Sequence, residues 1–269
     1  MSGEATFDRA AFAGALRTRR LGHVLVARGE VDSTNELAWT LVQEGADDGA
    51  CVVADVQTRG RGRQGRSWHT APGRGLALSL LLHPGCDRAA LATAPLVAGL
   101  GLARALEALG LEARLKWPND LVVRGRKLSG VLVESRRGAD GADVVVMGVG
   151  VNVAERAEDF PAELRESATS LALEGVTASR EQVAAGFLNA LEPLWDEHQE
   201  GDPGRTLAAW RGRAAFWGMP VTVSTPAGPV SGVARDLDPR GGLVIEPEGG
   251  AAITVYAGDL RVSWPEGVA

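Results

Sequence analysis

Residues 57–68 read QTRGRGRQGRSW and follow the apolar run CVVADV at 51–56, which the pattern predicts as a buried strand. The glycines at 60, 62 and 65 spell the G-x-G-x-x-G of dinucleotide-binding loops. That use requires a helix to open at the third glycine, so that a pyrophosphate meets its N-terminus. Here the chain continues RSWHTAPGRG, with two glycines and a proline, and no acidic residue sits at a strand end about 20 residues on. A doubly wound dinucleotide fold is therefore excluded. Three readings of the loop remain: a nucleic-acid patch, a solvated surface loop and an anion clamp. The chain of 269 residues carries a formal net charge of −6, whereas phosphate-backbone binding wants a broad basic surface. A loop so dense in arginine repels itself unless an anion neutralises it. Glycines let backbone N–H groups approach closely, and Arg61 and Arg63 supply planar, permanently charged donors for carboxylate or phosphate. The clamp reading, a loop that orders over a ligand, fits best.

Around this loop the pattern predicts a strand at 21–31, then a helix at 32–45 with Ser33 and Glu36 as a capping box and Gly45 as its stop. A strand follows at 75–83, and a long helix capped by Asp87 ends near Gly110. A strand at 112–117 leads to a hairpin over 120–136 turning at Arg124-Gly125, and another strand spans 142–153. From about 161 to 216 the signal is helical. The tail, 219–264, alternates short β-rich runs with Gly and Pro turns, as a small barrel or sandwich does. The expected organisation is a larger unit over 1–216 and a small all-β unit over 217–269. The two cysteines, Cys51 and Cys86, offer neither a disulfide framework nor zinc spacing, which suits a reducing cytoplasm, and Cys51 reads as a buried core thiol. The start of the chain has acidic residues and no long apolar run, unlike a secretory signal. The apolar stretch near 89–110 contains Pro95 and charges at helical spacing, so it reads as a core helix rather than a membrane span.

Several polar positions ask for a reason. KWPND (116–120) ends a strand abruptly and offers Lys116, Asn119 and Asp120 at its mouth, although an ordinary Pro-Asn-Asp turn would look the same. Lys127, in GRKLSG, sits beside a hairpin turn; it is either solvated surface or, inside a pocket, an electrophilic stabiliser. Gly148 and Gly150 fall on one face of a strand, where they serve a bulge, tight packing or a ligand lying on the sheet. Ser33, Thr34 and Asn35 place three small polar side chains at a helix start; capping explains the first but not all three.

Taken together, DSTN, QTRGRGRQGRSW, KWPNDL, RKLSGVLVE, GVGVNV and TSL (169–171) resemble, in order and spacing, the biotin–protein ligases, over roughly residues 22 to 265. The resemblance implies an α+β fold: a mixed β-sheet flanked by helices, plus a small SH3-like C-terminal barrel. It implies two substrates, biotin and ATP, with Mg²⁺ on the ATP phosphates rather than in a side-chain cluster. The product would be biotinyl-5′-AMP, and the acceptor a lysine of a biotin carboxyl carrier protein or of the carrier domain of a biotin-dependent carboxylase. Ser33, Thr34, Asn35 and Gln57 then match the residues that bond the ureido end of biotin or line its pocket, and Gly130, Gly148 and Gly150 leave room for its bicycle and chain. Gly60, Arg61, Gly62 and Arg63 resemble the loop that closes over biotin and phosphate. Lys127 matches the lysine at the biotin carboxylate, and with Arg63 carries the catalytic charge. Arg61, Arg63, Lys116, Asn119 and Asn152 match positions near ATP. Only about 20 residues precede the first strand, too few for the winged helix found in many bacterial relatives. A ligase without a repressor role, binding neither DNA nor membrane, is the expectation, with monomer and homodimer both open. Lipoate–protein ligase chemistry shares the adenylate logic, but its ligand has no ureido ring for the Ser-Thr-Asn and Gln set. A non-catalytic RNA- or phosphopeptide-binding module would leave KWPND and GVGVN unexplained.

Overall fold

The computed structural model describes residues 5–138 and 141–263. Its centre is a seven-stranded mixed sheet in the order β1-β2-β3-β7-β6-β5-β4. β1 (Leu25–Val31) runs parallel to β2 (Cys51–Gln57). The remaining neighbours are antiparallel: β3 (Leu76–Leu82), β7 (Asp143–Val151), β6 (Arg126–Arg137), β5 (Asp120–Val123) and β4 (Arg114–Lys116).

The long apolar runs of β2, β3 and β7 exist because both faces of the sheet are covered. On one face Leu76, Leu78, Leu80 and Leu82 join Val145, Met147, Val149 and Val151 in the main core, with α3 (Ala94–Ala108) and α4 (Arg180–Gln199) packed over them. On the other face Val52, Leu81, Val144 and Val146 meet Ala38 and Trp39 of α2 (Thr34–Gln43). Cys51 lies fully buried on the main-core side, and burial pushes its thiol up to about 12.

α2 covers only part of its face. Past its N-terminus the side chains shrink: Ala77 pairs with Gly150, Ser79 with Gly148, and Gly130 lies opposite Gly150 on the other side. This strip of small residues is the floor of the cleft described below.

Three local expectations need correction. The long apolar helix starts at Ala94 rather than at Asp87, after a short 3₁₀ turn over Ala90–Thr93, because Pro95 fits only the first turn. Its core-facing residues are buried against α4 and the sheet, although Ala90–Ala108 has the length and hydropathy of a membrane span. Residues 161–179 hold only one 3₁₀ turn, Ala162–Leu164, before α4; α5 (Gly204–Arg211) follows. Their backbone around 167–169 instead bonds to the start of β6 at Lys127. Ser33 occupies the N-cap of α2 but makes no capping bond, since Glu36 turns to an arginine of the loop. The hairpin does turn at Arg124-Gly125, both with positive φ, as a tight two-residue connection requires.

Ahead of β1, α1 (Arg9–Ala15) packs on α4, and the buried pair of Arg180 and Asp55 (2.7 Å) fixes the segment before it, since Asp55 also accepts from Thr6 N–H. After α5 a separate five-stranded antiparallel sheet follows, ordered β11-β10-β9-β8-β12. Its members are β8 (Pro220–Thr225), β9 (Gly228–Leu237), β10 (Leu243–Glu246), β11 (Ile253–Val255) and β12 (Asp259–Val262). Trp117 Nε1–H donates to Gly241 O (3.0 Å), which ties this barrel to the end of β4.

Candidate active site

A cleft opens over the small-residue strip. It brings together Ser33, Thr34, Asn35, Gln57, Arg61, Gly62, Arg63, Asn119, Lys127, Gly130, Gly148 and Gly150 from five separate stretches of sequence. Three residues singled out from the sequence lie outside its lining: Gly60, Lys116 and Asn152.

One end of the cleft is a neutral hydrogen-bonding network. Gln57 Oε1 accepts from Thr34 N–H (2.9 Å) and from its hydroxyl (3.2 Å). Ser79, buried in β3, donates to Asn35 Oδ1 (2.6 Å) and lies 2.8 Å from the Thr34 hydroxyl. Each hydroxyl has one proton, so while Thr34 donates to Gln57 and Ser79 to Asn35 no proton is left between the two hydroxyls. Asn35 Nδ2–H donates to Glu134 (2.8 Å). Ser33 stays free of any capping duty. Polar groups so placed suit a neutral ligand ring rich in donors and acceptors.

The glycine-arginine loop forms the roof. It folds back as a small hairpin, with Arg61 bridged to Ser67, Gly62 N–H donating to Arg66 O (2.7 Å) and Trp68 N–H donating to Gly60 O (2.9 Å). Gly60 belongs to this closure rather than to the cleft: a Cβ there would stand 2.3 Å from Trp68 O. The two strand glycines likewise admit neighbours. A Cβ at Gly148 would meet Asn35 Oδ1, and one at Gly150 the Trp68 indole, each at 2.3 Å.

Positive charge gathers at the other end. Lys127 Nζ pairs with Asp120 Oδ1 (2.7 Å) and lies 5.7 Å from the Trp68 ring centroid. A register shift between β5 and β6 at Leu121/Val122 brings Lys127 round to this side. Arg63 donates to Asn119 Oδ1 (3.1 Å), and Asn119 Nδ2–H donates to Val131 O (2.6 Å). Burial lowers the pKa of Arg63 by making its charge costlier, the condition in which an anion is welcome. Burial also lowers that of Lys116, partly opposed by Asp120. Arg66, paired with Asp259 of β12, carries the barrel into the wall of the cleft.

Asn152 is spent on structure. Its Nδ2–H groups donate to Thr169 O (2.8 Å) and Lys127 O (3.4 Å), while Lys127 N–H donates to Ser167 O (2.7 Å). The segment around Thr169 and Ser170 is thereby strapped across the start of β6 and the end of β7. Beside it Glu155 is buried against Gly75, and burial raises its carboxyl to about 7.

Sequence reasoning passed over Ser79, Glu134 and Asp259. A lone serine inside the otherwise apolar 76–82 run was the available signal for the first. The other two give no local signal, because each acts on a loop distant in sequence.

Comparison with known proteins places the whole chain in one family. The model of the biotin/lipoate A/B protein ligase family matches residues 29–152, and that of the biotin protein ligase C-terminal domain matches residues 216–260. The biotin–[acetyl-CoA-carboxylase] ligase of Mycobacterium tuberculosis is 35% identical over 239 residues, covering 86% of each chain. The bifunctional ligase/repressor BirA of Bacillus subtilis is 31% identical over 249 residues, covering 92% of this chain and 76% of its own. Among solved structures, the biotin protein ligase of Aquifex aeolicus in complex with biotin and ATP superposes with a TM-score of 0.77 at 32% identity, over 90% of this chain and all of the other. Matching these ligases at 31–35% identity over most of its length, with the two family models in the same order along it, the chain belongs to the biotin protein ligases of the biotin/lipoate A/B protein ligase family.

Proposed function

We propose that the protein joins biotin to ATP as biotinyl-5′-AMP and then passes the biotinyl group to a specific lysine of a biotin carboxyl carrier protein. The carrying observation is the polarity of one cleft: Thr34, Asn35, Gln57 and Ser79 form a neutral network at one end, and Lys127 and Arg63 stand at the other. Biotin has the same asymmetry, an uncharged ureido ring and a carboxylate.

A carboxylate is a poor acyl donor, and its attack on a phosphate forces two anions together. In the first step a biotin carboxylate oxygen attacks the α-phosphorus and pyrophosphate leaves. Lys127 and Arg63 hold positive charge where that negative charge converges, the preorganised electrostatics that lower such barriers most. Mg²⁺ arrives on the ATP phosphates as part of the substrate and shields them; Asp120 and Asp259 are carboxylates of the same cleft. In the second step the acceptor lysine, as its free amine, attacks the acyl carbon, AMP departs as the leaving group, and the amine's proton passes to solvent. The roof of the loop excludes water from the mixed anhydride. Free Cys51 and Cys86 suit the cytoplasm, where we place the enzyme.

ATP–pyrophosphate exchange tests the first step, with biotin, lipoate and octanoate compared as the acid. Exchange with biotin alone is expected. Exchange with lipoate would move the protein to the sister chemistry. Addition of a purified carrier domain, with the gain of one biotinyl group read by mass, tests the acceptor.

A further inference from the structure

The two arginines at the head of the loop are held in different ways. Arg63 touches a neutral partner, Asn119. Arg61 is instead saturated with negative charge. Its Nη1 lies 2.9 Å from Glu36 Oε1, and its Nη2 donates to both oxygens of Glu134, at 3.1 and 3.2 Å. With two carboxylates around one guanidinium, its fork is committed to the protein. Arg61 therefore fastens the roof, while Arg63 keeps its charge for a ligand.

Glu134 does a second thing. Its Oε2 accepts from Asn35 Nδ2–H (2.8 Å) and, more weakly, from Trp39 Nε1–H (3.4 Å). Asn35 belongs to the neutral end of the cleft, and its other amide atom is fixed by Ser79 (2.6 Å). Glu36 makes no such link; its side chain is half exposed, whereas that of Glu134 is 25% exposed. One carboxylate thus bonds the group that faces the ligand ring and the group that closes the roof. Movement of either Asn35 or Arg61 would therefore have to be accommodated by the same carboxylate.

We propose that Glu134 is a positioning residue that couples recognition of the ligand ring, through Asn35, to closure of the arginine loop, through Arg61. The coupling rests on the reading of the cleft as a biotin and adenylate site. It adds to that reading a means by which an ill-fitting ring weakens the roof over the reactive intermediate.

The test compares Glu134→Gln with Glu36→Gln in the full chain. The first keeps the shape but removes the charge shared by Asn35 and Arg61; the second removes charge from Arg61 alone. Three quantities are read: the biotin KM and kcat of pyrophosphate exchange, the half-time for loss of bound biotinyl-AMP on gel filtration, and tryptic cleavage within 59–66 with biotin present. Glu134→Gln is expected to raise the biotin KM about tenfold, shorten retention at least tenfold and speed cleavage, with kcat within threefold of the parent. Glu36→Gln should shorten retention and speed cleavage with the KM unchanged. Arg61→Gln added to Glu134→Gln should shorten retention by less than the two single losses combined, because the Arg61–Glu134 link is already gone and only the Glu36 pair remains to be lost. If Glu134→Gln raised the KM while retention and cleavage stayed at the parental values, the coupling would be overturned and only support of Asn35 would remain. Additive loss in the double variant would overturn it as well, independently of any loss of stability in the single one. Failure of the parent protein to exchange with biotin is a separate result, and strikes the functional reading itself.

Discussion

The Trp68 indole occupies the space that a side chain at Gly150 would need: a Cβ there would stand 2.3 Å from the ring. Glycine at this position is thus set by a tryptophan from the roof, and roof and floor of the cleft are fitted to each other. Gly150→Ala should push the indole away and spoil both the Lys127 contact and the ligand floor. The protein should remain folded, with a changed tryptophan emission spectrum and a biotin KM raised tenfold or more. A parental spectrum and KM would show that the ring has room to spare.

Lys127 is the cation nearest the centre of the proposed chemistry, held by Asp120. Lys127→Ala should slow biotin-dependent pyrophosphate exchange by about 10²–10³, the range for loss of one preorganised electrostatic donor. Transfer from added biotinyl-AMP to the carrier should suffer much less. An effect on exchange below tenfold would demote the lysine from its role.

Arg63 is the arginine left with a neutral partner, so its removal should loosen the grip on the adenylate. Arg63→Gly should release biotinyl-AMP into solution and label lysines of bystander proteins, measured by streptavidin blot against added albumin. Unchanged release would assign retention to the ion pairs of Arg61 alone.

Ser79 shows how far the site was readable in advance. The charged loop, the helix start at Ser33 to Asn35 and the strand glycines stand out in the sequence because each breaks a local pattern. Their convergence is a matter of strand order, which no local pattern carries: Ser79 and Gly148 are register partners 69 residues apart. Burial of residues 76–82 could be foreseen, while the hydroxyl's partners Asn35 and Thr34 could not. The same holds for Glu134, a surface-like residue by sequence that accepts from three side-chain nitrogens, of Asn35, Trp39 and Arg61. Asn152 is the reverse case, an asparagine in a telling motif whose amide is used by the backbone of Lys127 and Thr169. Ser79→Ala should cost about 1–3 kcal/mol of stability, the usual penalty for orphaning a buried acceptor, and raise the biotin KM. Urea unfolding and exchange kinetics measure the two effects; stability and KM both at parental values would remove Ser79 from the network.

Glu155 gives the fold a pH dependence of its own. Its carboxyl sits at about 7 in the folded protein against an ordinary 4.5. The unfolded chain therefore loses this proton first as pH rises, and stability falls between about 4.5 and 7 and then levels off. The loss amounts to at most about 3 kcal/mol. Glu155→Gln, which keeps the acceptor for Val153 N–H (2.7 Å in the parent), should flatten that slope. Urea midpoints at pH 5 and pH 8 check the sign: the parent must lose more stability than the variant.

The ion pair between Arg66 and Asp259 makes the last strand of the small barrel a wall of the cleft. On the ribosome, then, the chain cannot assemble its reaction chamber when the seven-stranded sheet emerges; it must wait until β12 has been made.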